Sequence, residues 1–188
     1  MYGSRVDEEG KEIQGDSSFV QAKAGERVAG VKLASIGLAT DREGNTIENR
    51  ANIIFEQEGG AKVFVTLFEA TEDWQFKAIN TKIKHIATKL MTEEEYYTAL
   101  NAGGSPGGFG EFIAKISSIF MPLAEGKVFT MKFVYLKGYL TVPNFPNWMA
   151  LPGNEDTLST NPKFDKYVNE EPTENVPAGG VPSTDQPF

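Results

Sequence analysis

The chain has one histidine and no cysteine, which limits the chemistry it can do. Without cysteine there is no disulfide, no thiol nucleophile and no Cys-ligated metal. That fits a reducing compartment, and the cytoplasm is the expected location. His85 stands alone, so neither a histidine metal cluster nor a His–His relay is available. It falls with Lys82 and Lys89 on one side of a helical pattern and reads as a solvated surface group. Glu93, Glu94 and Glu95 are consecutive, so on a helix they point different ways. They read as first-turn acids favoured by the helix dipole. The glycine-rich run 101–110, NAGGSPGGFG, lacks the Gly-Lys-Ser/Thr ending of a phosphate loop and reads as a mobile connector. No nucleophile is paired with a base. The expectation is a protein that is not an enzyme and needs no metal or cofactor.

The side chains left are aromatic and basic. Lys127 to Trp148, KVFTMKFVYLKGYLTVPNFPNW, alternates with period two and reads as two strands around a turn at Lys137-Gly138. Large side chains on both faces imply one face in a core and one aromatic face with lysines at intervals. Aromatic rings can stack on any base, and lysine or arginine can meet a phosphate backbone. The candidate nucleic-acid-binding residues are Arg42, Arg50, Lys62, Phe64, Trp74, Phe76, Lys77, Lys82, Lys132, Tyr135, Lys137 and Tyr139. Trp74 and Phe76 lie among charged residues outside a clear strand pattern. For each single aromatic a place in the core is the competing reading. Trp148, in a loop between Pro146 and Pro152, divides evenly between packing and binding.

The elements that must hold these residues follow in order. Residues 28–40 read as a strand, Asp41 to Asn45 as a turn, and Ala51 to Glu56 as a second strand closed by Gly59-Gly60. Lys62 to Ala70 reads as a third strand, with Phe64 and Phe68 on one face and Val63, Val65 and Leu67 on the other. Between Ala78 and Leu90 the apolar residues recur at helical spacing. Thr92 to Glu95 looks like a capping box opening a second helix to about Leu100. A third helix spans about Glu111 to Met121, ended by Pro122. Three strands, helices, then two strands is the order of an OB-fold, a five-stranded barrel with its helix between strands three and four. The fold class is therefore mainly β with a helical insertion. An α+β sheet under a helical layer fits the same order.

Charge divides the chain of 188 residues into three parts. Residues 1–19 carry two basic and five acidic groups and read as a flexible segment. Residues 20–166 are nearly balanced, with 16 basic and 17 acidic groups, and form the binding domain. Residues 167–188 carry four acidic groups and no basic one, and read as a disordered acidic tail. Most of the net charge of −8 thus lies at the ends, so the balanced body can still hold a basic groove. The N-terminus is acidic and polar, unlike a secretory signal. No run of about 18 apolar residues exists to span a membrane.

With the tail in view, the chain resembles the single-stranded DNA-binding proteins of bacteriophages and bacteria. The order of elements over about 28–145 is similar to their OB domain. The end, Thr184-Asp185-Gln186-Pro187-Phe188, resembles their acidic tails closed by Pro-Phe or by a terminal Phe. It departs in Gln186, where an apolar residue would stand, and in a sparser acidic run. The resemblance implies a groove that holds single-stranded DNA without sequence preference during phage replication, recombination or repair. It also implies a tail, with Asp185, Pro187 and Phe188, that recruits replication and recombination proteins. Homo-oligomerisation and an RNA partner stay open. The alternative function is a structural, virion or replisome interaction module that binds no nucleic acid.

Overall fold

The computed structural model describes residues 25–136, 139–143 and 147–158. The expected segment 1–19, the turn residue Lys137 and the tail with Asp185, Pro187 and Phe188 lie outside the described residues.

The first three strands are a meander: β1 (Arg27–Thr40), β2 (Thr46–Gln57) and β3 (Lys62–Phe68). The β1–β2 turn is built by Asp41. Its Oδ1 accepts from the backbone N–H of Glu43 at 2.9 Å and of Asn45 at 2.8 Å, and Gly44 takes φ +89°. The Asn45 side-chain amide, donating to Oδ2 at 3.0 Å, and then these backbone bonds hold the Asp41 carboxyl below its usual pKa. Three helices follow: α1 (Asp73–Leu90), α2 (Glu93–Asn101) and α3 (Phe109–Ala124). The capping box at Thr92 forms as its sequence predicts. The Thr92 N–H donates to Glu95 Oε2 at 2.8 Å, and the Glu95 N–H donates to Thr92 Oγ1 at 3.3 Å. An analogous box starts α1, where Gln75 Oε1 accepts from the backbone N–H groups of Thr71 and Glu72. Pro122 lies inside α3, and the helix stops two residues later, at Ala124.

The glycine-rich connector is tied down at three points. Lys115 Nζ donates to the carbonyls of Ala102 at 2.6 Å and Gly104 at 2.8 Å. Glu111 Oε2 accepts from the Gly107 N–H at 2.7 Å. A lysine nearly two turns into α3 thus closes the end of α2, a tie that composition alone does not reveal.

The chain then returns to the sheet through β4 (Phe129–Lys132), β5 (Val134–Leu136), β6 (Tyr139–Thr141) and β7 (Met149–Ala150), before a 3-10 turn at Glu155–Thr157. The long hairpin expected over Lys127–Phe145 is split. β4 pairs with β1 and β7, while β5 and β6 make a separate two-stranded ribbon. The break falls at Phe133, which is fully buried. Its carbonyl accepts from Gly25 N–H at 2.8 Å, and the Lys132 N–H donates to the Trp148 carbonyl at 2.7 Å. Changed hydrogen-bond partners, invisible in the alternation, end one ladder and begin another.

The main sheet is antiparallel, in the order β3-β2-β1-β4-β7, and open. β1 slips in register between Leu33 and Ser35 and again between Leu38 and Ala39. Such irregularities bend a strand and increase its twist. β6 comes alongside β3. The inward residues, among them Val31, Ile53, Phe55, Val65 and Leu67, meet Ile113, Ile116 and Phe120 of α3 and Ile83 and Ile86 of α1 in one core. No helix among the described residues is long and apolar enough to cross a membrane.

Candidate nucleic-acid interface

Strand alternation builds the site. In β3, Val63, Val65 and Leu67 are buried, so Lys62, Phe64, Thr66 and Phe68 face the other way. The β2 partners extend that outer face. Glu56 pairs with Lys62, Ile54 with Phe64, Asn52 with Thr66, and Arg50 with Phe68. β1 adds Lys32 opposite Glu56, Ser35 opposite Ile54 and Gly37 opposite Asn52. Glu56 is thus flanked by two lysines, and its carboxylate lies 3.8 Å from Lys62 Nζ. Both side chains of that ion pair are over a third exposed, so it is weak and open to exchange. The Thr66 hydroxyl donates to Asn52 Oδ1 at 3.0 Å. Phe64 is 37% and Phe68 41% exposed, which is high for phenylalanine.

The structure distributes the predicted residues unevenly. Lys62 and Phe64 are on this outer face. Arg42 is exposed in the β1–β2 turn, at the opposite end of β2 from Lys62. Trp74 and Phe76 are 55% and 52% exposed, in the first turn of α1. Two residues apart on a helix is about 200° of rotation, so their rings project to different sides. Lys77 lines a groove of about 360 Å³ between α1 and α2, with Asn80, Thr81, Lys84, Tyr96, Tyr97 and Leu100. Lys84 is committed there to Glu93, at 2.7 Å, which raises its pKa. Lys82 is half-buried, and burial lowers its pKa. Tyr135 and Tyr139 belong to the β5–β6 ribbon by their backbone.

Two expectations are corrected, Lys132 as a surface cation and His85 as a solvated group, and Arg50 is more buried than its strand position predicts. Lys132 is not a surface cation. It is 5% exposed, because β4 runs between β1 and β7 with all four residues buried. Arg50 is 7% exposed although its strand position faces outward. It sits beside the slip where β1 pairing jumps from Ala51 to Ile47, leaving residues 48–50 without a β1 partner. His85 is not solvated but 6% exposed, its ring centroid 4.8 Å from that of Trp148. The backbone N–H of Met149 points at its Nε2 at 3.2 Å, and that of Asn147 at its Nδ1 at 3.4 Å. Two donors aimed at one ring disfavour the imidazolium. Burial first, then the nearby Lys89 charge, push the His85 pKa down to about 4. Trp148 resolves to packing, at 1% exposure.

Residues the sequence reading left out of the site are Lys32, Asn52, Ile54, Thr66 and Phe68. The signal for Phe68 and Thr66 was present, since KVFVTLF alternates strictly from Lys62. The β1 and β2 members depend on register, which pattern alone does not set. Among the described residues no cluster of three metal-ligating side chains exists. Comparison with protein-family models, curated proteins and solved structures finds no match.

Proposed function

We propose that this chain binds single-stranded DNA without sequence preference, on the outer face of β1, β2 and β3. The observation that carries the reading is the outward row Lys62, Phe64, Thr66 and Phe68 on β3, backed by Lys32, Asn52 and Ile54. Rings on a strand surface offer stacking platforms, and flanking lysines and amides meet phosphate and sugar. The register-shifted sheet with β6 alongside β3 supports a partial barrel of the OB kind. The chain would protect the strand in phage replication, recombination or repair, with the 167–188 tail recruiting partner proteins.

A protein-interaction module is the second reading, favoured by the α1–α2 groove and by Tyr97 at 45% exposure beside it. Titration with oligo-dT followed by tryptophan fluorescence separates the two. Of the two tryptophans, Trp148 is sealed and Trp74 is exposed. Quenching that disappears in Trp74→Phe, with binding still detected by gel shift, places the strand near the start of α1. Absence of binding to single strands, with duplex as the control, rejects the DNA reading.

A further inference from the structure

Arg50 has a guanidinium nitrogen left unpartnered among the described residues. Its Nε is sealed from solvent and has no hydrogen-bond acceptor among the described residues. Neither the Lys62–Glu56 nor the Lys84–Glu93 ion pair involves it. A guanidinium stays charged at any ordinary pH, and burying it without a counter-ion destabilises a fold. A methionine of similar volume would remove that cost. The position is also specific. Arg50 pairs across the ladder with Phe68, and the next outward pair is Asn52 with Thr66. Arg50 thus shares a ladder position with the 41% exposed Phe68, on the sheet face that bears Phe64. The guanidinium fork matches the oxygens of a phosphate group, which it can hold through two parallel hydrogen bonds. A base stacked on Phe68 would bring its own backbone phosphate to that end of the row.

We propose that Arg50 is the seat of a phosphate oxyanion, filled by a phosphodiester of a strand that crosses Phe64 and Phe68. The inference rests on the strand-binding reading and adds a fixed register point to it. A single buried anchor would set where each bound strand begins, while the exposed lysines contribute diffuse attraction.

Arg50→Met and Arg50→Lys test it in two arms. In the first arm, melting temperature is measured in inorganic phosphate and in chloride at equal ionic strength. The wild-type protein should melt higher in phosphate, and Arg50→Met should show no difference. In chloride, Arg50→Met should melt at or above the wild-type temperature, because a buried charge has been removed. In the second arm, oligo-dT affinity should fall about tenfold or more in Arg50→Met, and the salt slope should lose about 0.7, the share of one single-strand phosphate. Arg50→Lys should keep the slope and lose affinity, since charge remains and the fork does not. Unchanged oligo-dT affinity in Arg50→Met overturns the inference while leaving strand binding intact. A phosphate effect lost in Arg50→Met, in a protein that binds no oligo-dT, supports the oxyanion seat and rejects the strand as its occupant. A marked fall in melting temperature in both variants, with no phosphate effect in wild type, would make Arg50 a structural residue and overturn the inference.

Discussion

Phe64 and Phe68 are four residues apart on one strand, so their rings stand about 13 Å apart along it. Rings that stay 37% and 41% exposed leave less apolar surface to lose from the fold than a sealed core ring does. Phe64→Ala and Phe68→Ala should each weaken oligo-dT binding by about 1–3 kcal/mol. Their melting temperatures should stay within a few degrees of wild type, and isothermal titration with thermal denaturation checks both. His85 behaves oppositely, as a core residue with a titration. Its folded pKa is about 4, against an ordinary value of 6.5. Above about pH 6.5 the ring is neutral in both states and its contribution is intact. As pH falls from 6.5 towards 4 the unfolded state takes up a proton that the folded state refuses, so stability falls. The loss levels off below pH 4 at about 3 kcal/mol. Denaturant unfolding of wild type and His85→Gln across pH 7 to 4 should show a shallower acid loss in the variant. His85 was hard to place from sequence because Lys82 and Lys89 share its flank. Both are themselves half-buried, with pKa values lowered by burial.

At the scale of elements, what was legible depended on whether the controlling interaction was local. The three first strands, the Thr92 capping box and the Asp41 turn were readable because neighbouring residues set them. The division of residues 127–145 between sheet and ribbon was not, because it is decided by Gly25 and Trp148, distant in sequence. The pairing of β7 with β4 was missed for the same reason. Gly30 shows how a single backbone position holds the architecture. It takes φ +72° where the β1–β4 register shifts between Val28 and Val31. A Cβ there would meet nothing within 4 Å, so only backbone strain opposes a side chain. Gly30→Ala should therefore destabilise by about 1–2 kcal/mol, the cost of a left-handed conformation for an L-residue. Chemical denaturation should show that loss with an unchanged m-value, since the exposed area on unfolding is the same.

For the molecule as a whole, the net charge is concentrated towards the two ends of the sequence. Residues 167–188 hold four carboxylates and no cation, while the body is nearly balanced. An acidic segment on the same chain competes with phosphates for exposed lysines when salt is low. Deleting residues 169–188 should thus tighten oligo-dT binding at low salt and change little at high salt, where charges are screened. Folding should persist, because that segment has little apolar content to contribute. A tail deletion with the same low-salt affinity as the full chain would count against the competition. The central claim is that lysines and rings on the β1–β3 face hold a single strand. Its most direct test is the oligo-dT affinity of the full chain across salt concentrations. With about three to five phosphates neutralised, log affinity should fall against log salt with a slope of about −2 to −3.5, leaving a residual stacking component at high salt. A flat salt response, or equal affinity for duplex and single strand, would contradict it.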